Sequence, residues 1–126
     1  MSKLLFICFI CLSSLPSNAQ SGKSALTQKI KAFIKANSVL SGKNPVIYFN
    51  NVDKIIDIDG YRIPLNEVKT TYNYHQTSYG HCVDFDCRSG NCITQADGSG
   101  AIGFAVAFKT KKNCYDFIDL ISQLKK

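Results

Sequence analysis

The stretch HCVDFDCRSGNCIT, residues 81–94, places His81, Cys82, Cys87 and Cys92 close together, with Asp84 and Asp86 between them. Residues of these types can hold a metal, exchange thiols with disulfides, or staple the chain. A zinc site uses a close cysteine pair, two to four residues between its members, followed by a second such pair. Four residues separate successive cysteines here, and no second close pair follows. A turn at Ser89-Gly90 would instead set Arg88 opposite Asn91 and Cys87 opposite Cys92. Non-hydrogen-bonded partners in such a ladder have Cα atoms about 4.5 Å apart, inside the disulfide range of about 4.4–6.8 Å. The spacing therefore predicts a Cys87–Cys92 staple on a hairpin, ahead of a zinc site that would enlist His81.

The compartment points the same way. The chain opens MSKLLFICFICLSSLPSNAQ, with Lys3 before the apolar run at residues 4–12 and the small-residue pattern Ser17-Asn18-Ala19 after it. This is the pattern of a Sec signal peptide, residues 1–19, cleaved after Ala19. The run is too short for a membrane span, which needs about 20 apolar residues. Large residues precede both Cys8 and Cys11, against a lipoprotein anchor. Residues 20–126 are expected to form a single globular domain, secreted or periplasmic, without a further apolar run long enough to span a bilayer. Cys8 and Cys11, the only Cys-x-x-Cys in the sequence, leave with the signal peptide. Cys82, Cys87, Cys92 and Cys114 remain, and an even count in an oxidising compartment favours disulfides. Elimination leaves Cys82 to pair with Cys114. Strand parity makes that awkward, since Cys82 shares the face of Asp84 and Asp86, opposite Val83 and Phe85.

The groups available for catalysis are His75, His81, Asp84, Asp86 and several serines. HQTSYGH, residues 75–81, brings two imidazoles to one hairpin end, where either could act as a base beside an acidic strand. No nucleophile or metalloprotease signature accompanies them. SGKS at residues 21–24 matches the end of a phosphate-binding loop, but Ser17 stands where that loop needs glycine. DIDG at residues 57–60 lacks the remaining calcium ligands and reads as a turn. The formal charge of +6 comes from scattered lysines, with only Arg62 and Arg88 as arginines. That pattern suits solvated faces rather than a nucleic-acid surface.

These groups are carried by elements with clear patterns. Residues 24–37 place Leu26, Ile30, Phe33 and Ile34 at helical spacing, with Ser24 as cap. Short strands follow from about 45 to 109. Asp59-Gly60 is the strongest hairpin signal, setting Asp57 opposite Arg62 and Ile56 opposite Ile63. Residues 67–75 alternate, with Val68, Thr70, Tyr72 and Tyr74 on one face. In AIGFAVAFK, residues 101–109, Ile102, Phe104, Val106 and Phe108 share a face. Ala101, Gly103, Ala105 and Ala107 form the other, small enough for close backbone approach. A second helix over residues 113–125 has Asn113 as N-cap and Asp116 in the capping-box position.

The order of about seven short antiparallel strands and a final helix, over residues 45–126, resembles the pleckstrin-homology-like superfold. IDIDGYRIPLNEV is similar to bacterial members of that group. The resemblance implies a bent sheet or partly open barrel with the C-terminal helix packed on it; the N-terminal helix is an addition. The basic loop that grips phosphoinositides in some eukaryotic relatives has no counterpart, since the first hairpin offers only Asn50, Asn51 and Lys54.

The expectation is an α+β domain acting as an exported, non-catalytic binding or structural module for a protein or envelope component. It calls for no cofactor, metal or nucleic acid. A small hydrolase using His75 or His81, and a metal-binding protein, are the alternatives. The expected interaction loop is His75, Gln76, Thr77, Ser78, Tyr79 and His81, because a loop carried on a rigid sheet is where binding groups usually sit. Intact-mass measurement of exported protein should find Gln20 at the N-terminus; a product that keeps residues 1–19 would contradict the export reading.

Overall fold

The computed structural model describes residues 23–39, 43–76 and 80–126. The signal-peptide assignment lies outside these residues. Helix α1 covers residues 23–37, so Ser24 lies within it rather than capping it. Eight strands follow among the described residues: β1 (Ile47–Asn50), β2 (Ile55–Ile58), β3 (Tyr61–Pro64), β4 (Val68–His75), β5 (Gly80–Cys87), β6 (Ile93–Thr94), β7 (Gly100–Ala101) and β8 (Gly103–Phe108). Helix α2 (Lys111–Lys125) ends the chain. The fold is α+β with a helix at each end, as expected. The strands form two antiparallel sheets, ordered β1-β2-β3-β6-β7 and β4-β5-β8, rather than one bent sheet. Neither described helix is long and apolar enough to cross a membrane.

The β2–β3 hairpin follows directly from its turn residues. Asp59 and Gly60 both adopt positive φ, 51° and 91°, as a two-residue turn of this hand requires. Asp57 consequently faces Arg62, and Ile56 faces Ile63. The β1–β2 loop is held by Asn50, whose side-chain oxygen accepts from the backbone N–H groups of Val52 and Asp53 at 2.9 and 3.1 Å.

The Cys87–Cys92 bond is present, with Cα atoms 5.6 Å apart, but it does not staple a hairpin. β5 pairs with β8 in one sheet, whereas β6 pairs with β3 and β7 in the other. In one ladder Asp86 faces Gly103; in the next, Ile93 faces Ala101. Between these pairs only Ile102 stands opposite the whole run 87–92. The Cys87 N–H donates to the Ile102 carbonyl at 2.8 Å. β5–β6 and β7–β8 are thus the two arms of one long hairpin that crosses from sheet to sheet. The disulfide clips off the excursion 88–92 where the crossing occurs. This geometry also corrects the placement of Ile102. The expected single strand breaks there as its two halves join different sheets, leaving Ile102 71% exposed.

The core gathers Ile30 and Ile34 of α1, Ile56, Ile58 and Ile63 of the larger sheet, and Val83, Phe85 and Phe108 of the smaller. Phe117 of α2 links these layers. Its ring lies 4.9 Å from that of Phe108 and 6.3 Å from those of Phe33 and Phe85. The helices run antiparallel. Lys23 Nζ donates to the carbonyls of Gln123 and Leu124 at 3.0 and 3.1 Å, satisfying the end of α2. At the opposite end, Asn113 donates to Asn37 Oδ1 at 3.4 Å. The N-cap of α2 is Thr110, whose side chain accepts from the Asn113 N–H. The helix therefore begins before Asn113, the expected cap.

Cys82 and Cys114 are both buried free thiols, correcting the pairing reached by elimination. Cys114 joins the core cluster with Val83 and Phe85. Alternation turns Cys82 to the other face of β5, so the sheet separates the two sulfurs. Burial, with the proximity of Cys82 and Asp84 added, pushes the Cys114 thiol from 9.0 up to about 11. Its proton is held more tightly in the folded chain than in the unfolded one. The stability it contributes is intact below pH 9.0 and is lost as pH rises toward about 11. Urea unfolding across this window should show a steeper loss of stability for the wild type than for Cys114→Ala. Parallel slopes would contradict the assignment.

Candidate recognition surface

The β4–β5 ladder determines where each candidate side chain points. His75 pairs with Gly80, and Tyr74 pairs with His81. Directly paired residues share a face, and the next residue turns to the opposite one. His75 and His81 therefore diverge, one to each face of the sheet, although the sequence brings them to the same hairpin end. Gln76 stands just beyond β4; Thr77, Ser78 and Tyr79 of the expected loop lie outside the described residues.

On the outer face, His75 Nε2 lies 3.0 Å from Asp84 Oδ2, and Asn73 Nδ2 donates to the same oxygen at 2.7 Å. Asp84 is only 8% exposed, so these partners satisfy a carboxylate that would otherwise be costly to bury. At about 3.4 Å per residue, four residues of strand separate His75 from the position opposite Asp84 by about 14 Å. The contact requires the ladder to curl toward this face. Cys82 lies between Gly80 and Asp84 on that face and is 2% exposed. Desolvation, then the Asp84 charge, raises its thiol pKa, the reverse of what activates a cysteine nucleophile. Among the described residues, no three His, Cys, Asp or Glu side chains group closely enough to hold a metal ion.

The core-side face ends differently. Tyr72 Oη lies 2.8 Å from His81 Nδ1. Tyr72 also stacks on Tyr115 of α2 at 5.4 Å, and Tyr74 meets the His81 ring edge-on at 5.1 Å. Lys111 Nζ sits 5.3 Å from the Tyr72 centroid and 6.0 Å from that of Tyr115, a cation–π arrangement. Desolvation first, then the neighbouring Cys114 and Tyr115, raises the Tyr72 phenol above its ordinary value. A phenol that keeps its proton has an O–H to offer in this contact. The outer members of the cluster remain open to solvent, Tyr74 at 60% and Tyr115 at 52% exposure.

Of the expected interaction residues that are described, His81 enters this cluster, while His75 closes the opposite face. Tyr72, Tyr74, Lys111 and Tyr115 are the additions. The signal for Tyr115 was its position off the apolar stripe of Cys114, Phe117, Ile118, Ile121 and Leu124: a tyrosine on the polar side of a helix. No family model matches the chain, and neither a curated protein nor a solved structure matches it.

The outer cluster has a direct test in stability. His75→Ala leaves Asp84 with Asn73 alone, and the half-open imidazole limits the loss to roughly 1 kcal/mol. Denaturant unfolding near neutral pH should resolve that loss; an unchanged midpoint would show that His75 does not support the buried carboxylate.

Proposed function

We propose that this chain is an exported, non-catalytic binding module that docks a protein or envelope component on the tyrosine-rich end of its three-stranded sheet. One observation carries the reading. Tyr74 and Tyr115 stay largely exposed while Tyr72, His81 and Lys111 hold them from behind. Tyrosine offers a large contact area with few rotatable bonds, so fixing it in advance lowers the entropy lost on binding. Tyrosine is also enriched where binding energy concentrates.

The divergence of His75 and His81 removes one arrangement that would have favoured a hydrolase, both imidazoles gathered in one pocket with a carboxylate. The Cys87–Cys92 bond is consistent with an oxidising compartment.

The test begins with capture of a partner from an envelope or culture fraction by the oxidised protein. Tyr74→Ala combined with Tyr115→Ala should weaken that complex by roughly tenfold or more, as expected when aromatic anchors are removed, with folding preserved because neither ring belongs to the core. Unchanged affinity in the folded double variant would move the binding surface elsewhere, to the lysine faces of the helices first.

A further inference from the structure

β4 ends the three-stranded sheet on the side away from β8, pairing only with β5. Its ladder runs unbroken from the pair Val68–Cys87 to the pair His75–Gly80. The bonds at the sheet crossing fix which way its backbone groups turn. The Cys87 N–H donates to Ile102 on the β8 side, and the Arg88 N–H to Glu67 on the β4 side. The N–H and C=O of one strand residue project to the same side, and alternate residues agree. Asp86, Asp84, Cys82 and Gly80 therefore bond to Lys69, Thr71, Asn73 and His75. Val68, Thr70, Tyr72 and Tyr74 turn their N–H and C=O groups outward, where no described backbone group pairs with them.

The path of the chain leaves this edge free. Residues 77–79 only link β4 to β5 at the hairpin end, and residues 40–42 link Val39, beside β8, to Lys43. Cleavage after Ala19 leaves residues 20–22 ahead of Lys23, a span of at most about 10 Å. The edge from Val68 to Tyr74 is about 20 Å long.

Exposed edges are ordinarily guarded by proline, a bulge or charge. β4, VKTTYNYH, has no proline and a single lysine, Lys69. The position of that lysine selects the occupant. The outward residues lie symmetrically about Thr71. A second β4 laid antiparallel about Thr71 therefore matches Val68 with Tyr74 and Thr70 with Tyr72, satisfying every outward group on both strands. Thr71 then faces its own counterpart, a favourable cross-strand pair. Lys69 faces Asn73, and the two lysines stand about 14 Å apart, beyond the screening length of about 8 Å at physiological salt. A slip of two residues in either direction leaves an outward residue of each strand unmatched.

We infer that the processed chain self-associates through β4, two copies pairing antiparallel about Thr71 so that their three-stranded sheets become one. A single strand pair buries less than the roughly 1,600 Å² of a standard interface, so the dimer is weak and concentration-dependent. The tyrosine ends of the two copies stand about 20 Å apart along the joined strands, which makes the recognition surface bivalent. The inference goes beyond the tyrosine reading, and either can fail without the other.

The experiment uses the processed protein, its disulfide intact and no partner present. Sedimentation equilibrium from micromolar to millimolar concentration should show monomer passing into dimer. Thr71→Cys should link to itself under mild oxidation, because non-hydrogen-bonded partners lie about 4.5 Å apart, within disulfide range. Lys69→Cys and Asn73→Cys should each stay unlinked alone and link to one another when mixed. Thr70→Pro removes an outward donor without touching the bonds to β5 and should weaken the dimer by roughly tenfold or more; if this variant does not fold, the cross-linking decides. The amides of Thr70 and Tyr72 should exchange freely in dilute solution and slow as the dimer forms. Four outcomes would overturn the proposal: a monomer at every concentration; a dimer in which Thr71→Cys does not link; Thr70 and Tyr72 amides already protected at high dilution, showing the edge filled by the chain itself; or a folded Thr70→Pro that dimerises as the wild type does.

Discussion

The crossing between the two sheets is the constraint from which the rest of the arrangement follows. β5 lies at the centre of one sheet and β6 within the other, yet both pair along the same returning arm, β8 and then β7. Residues 88–92 must leave that ladder for the pairing to resume at Ile93. The Cys87–Cys92 bond closes this excursion at its base, contributing about 2 kcal/mol on the chain-entropy account for so short a loop. The β3–β4 turn is tied to the same corner, because the Arg88 N–H donates to the Glu67 carbonyl at 3.0 Å. Three chain passages between the sheets are thereby held together.

With that corner fixed, the three-stranded sheet presents one face to the helices and another to solvent. Phe85 and Phe108 meet Phe117 on the inner face, and α1 packs antiparallel beside α2. The solvent face retains polar side chains, with Asp84 buried beneath Asn73 and His75. Away from the corner, Tyr72, Tyr74, His81 and Tyr115 assemble where the start of α2 passes the sheet. The candidate recognition surface is thus a consequence of where α2 begins, and Thr110 sets that beginning by accepting the Asn113 N–H.

The features legible in the sequence were those decided by nearby residues. Asp59-Gly60 dictates a two-residue turn, and the expected partners of Ile56 and Asp57 are found in place. The apolar spacing in both helices likewise marks their buried sides. What failed depended on distant pairing. Cys87 and Cys92 carry the same spacing in a hairpin as at a sheet crossing, so their bond could be read but not its setting. Ile102 alternates correctly with Phe104, yet the exchange of partner strands at that point turns it outward. His75 and His81 are neighbours in sequence, but a ladder pairing His75 with Gly80 separates them. Two members of the candidate surface were hidden for the same reason: Lys111 and Tyr115 come from α2, and no local rule brings them to Tyr72.

The most direct measurement is mass-spectrometric mapping of the thiols, with alkylation before and after unfolding and no reducing agent. The sheet-crossing account predicts a peptide linkage between Cys87 and Cys92, with Cys82 and Cys114 alkylated only once the protein is unfolded. A Cys82–Cys114 linkage, or alkylation of Cys87 and Cys92 in the folded protein, would contradict it.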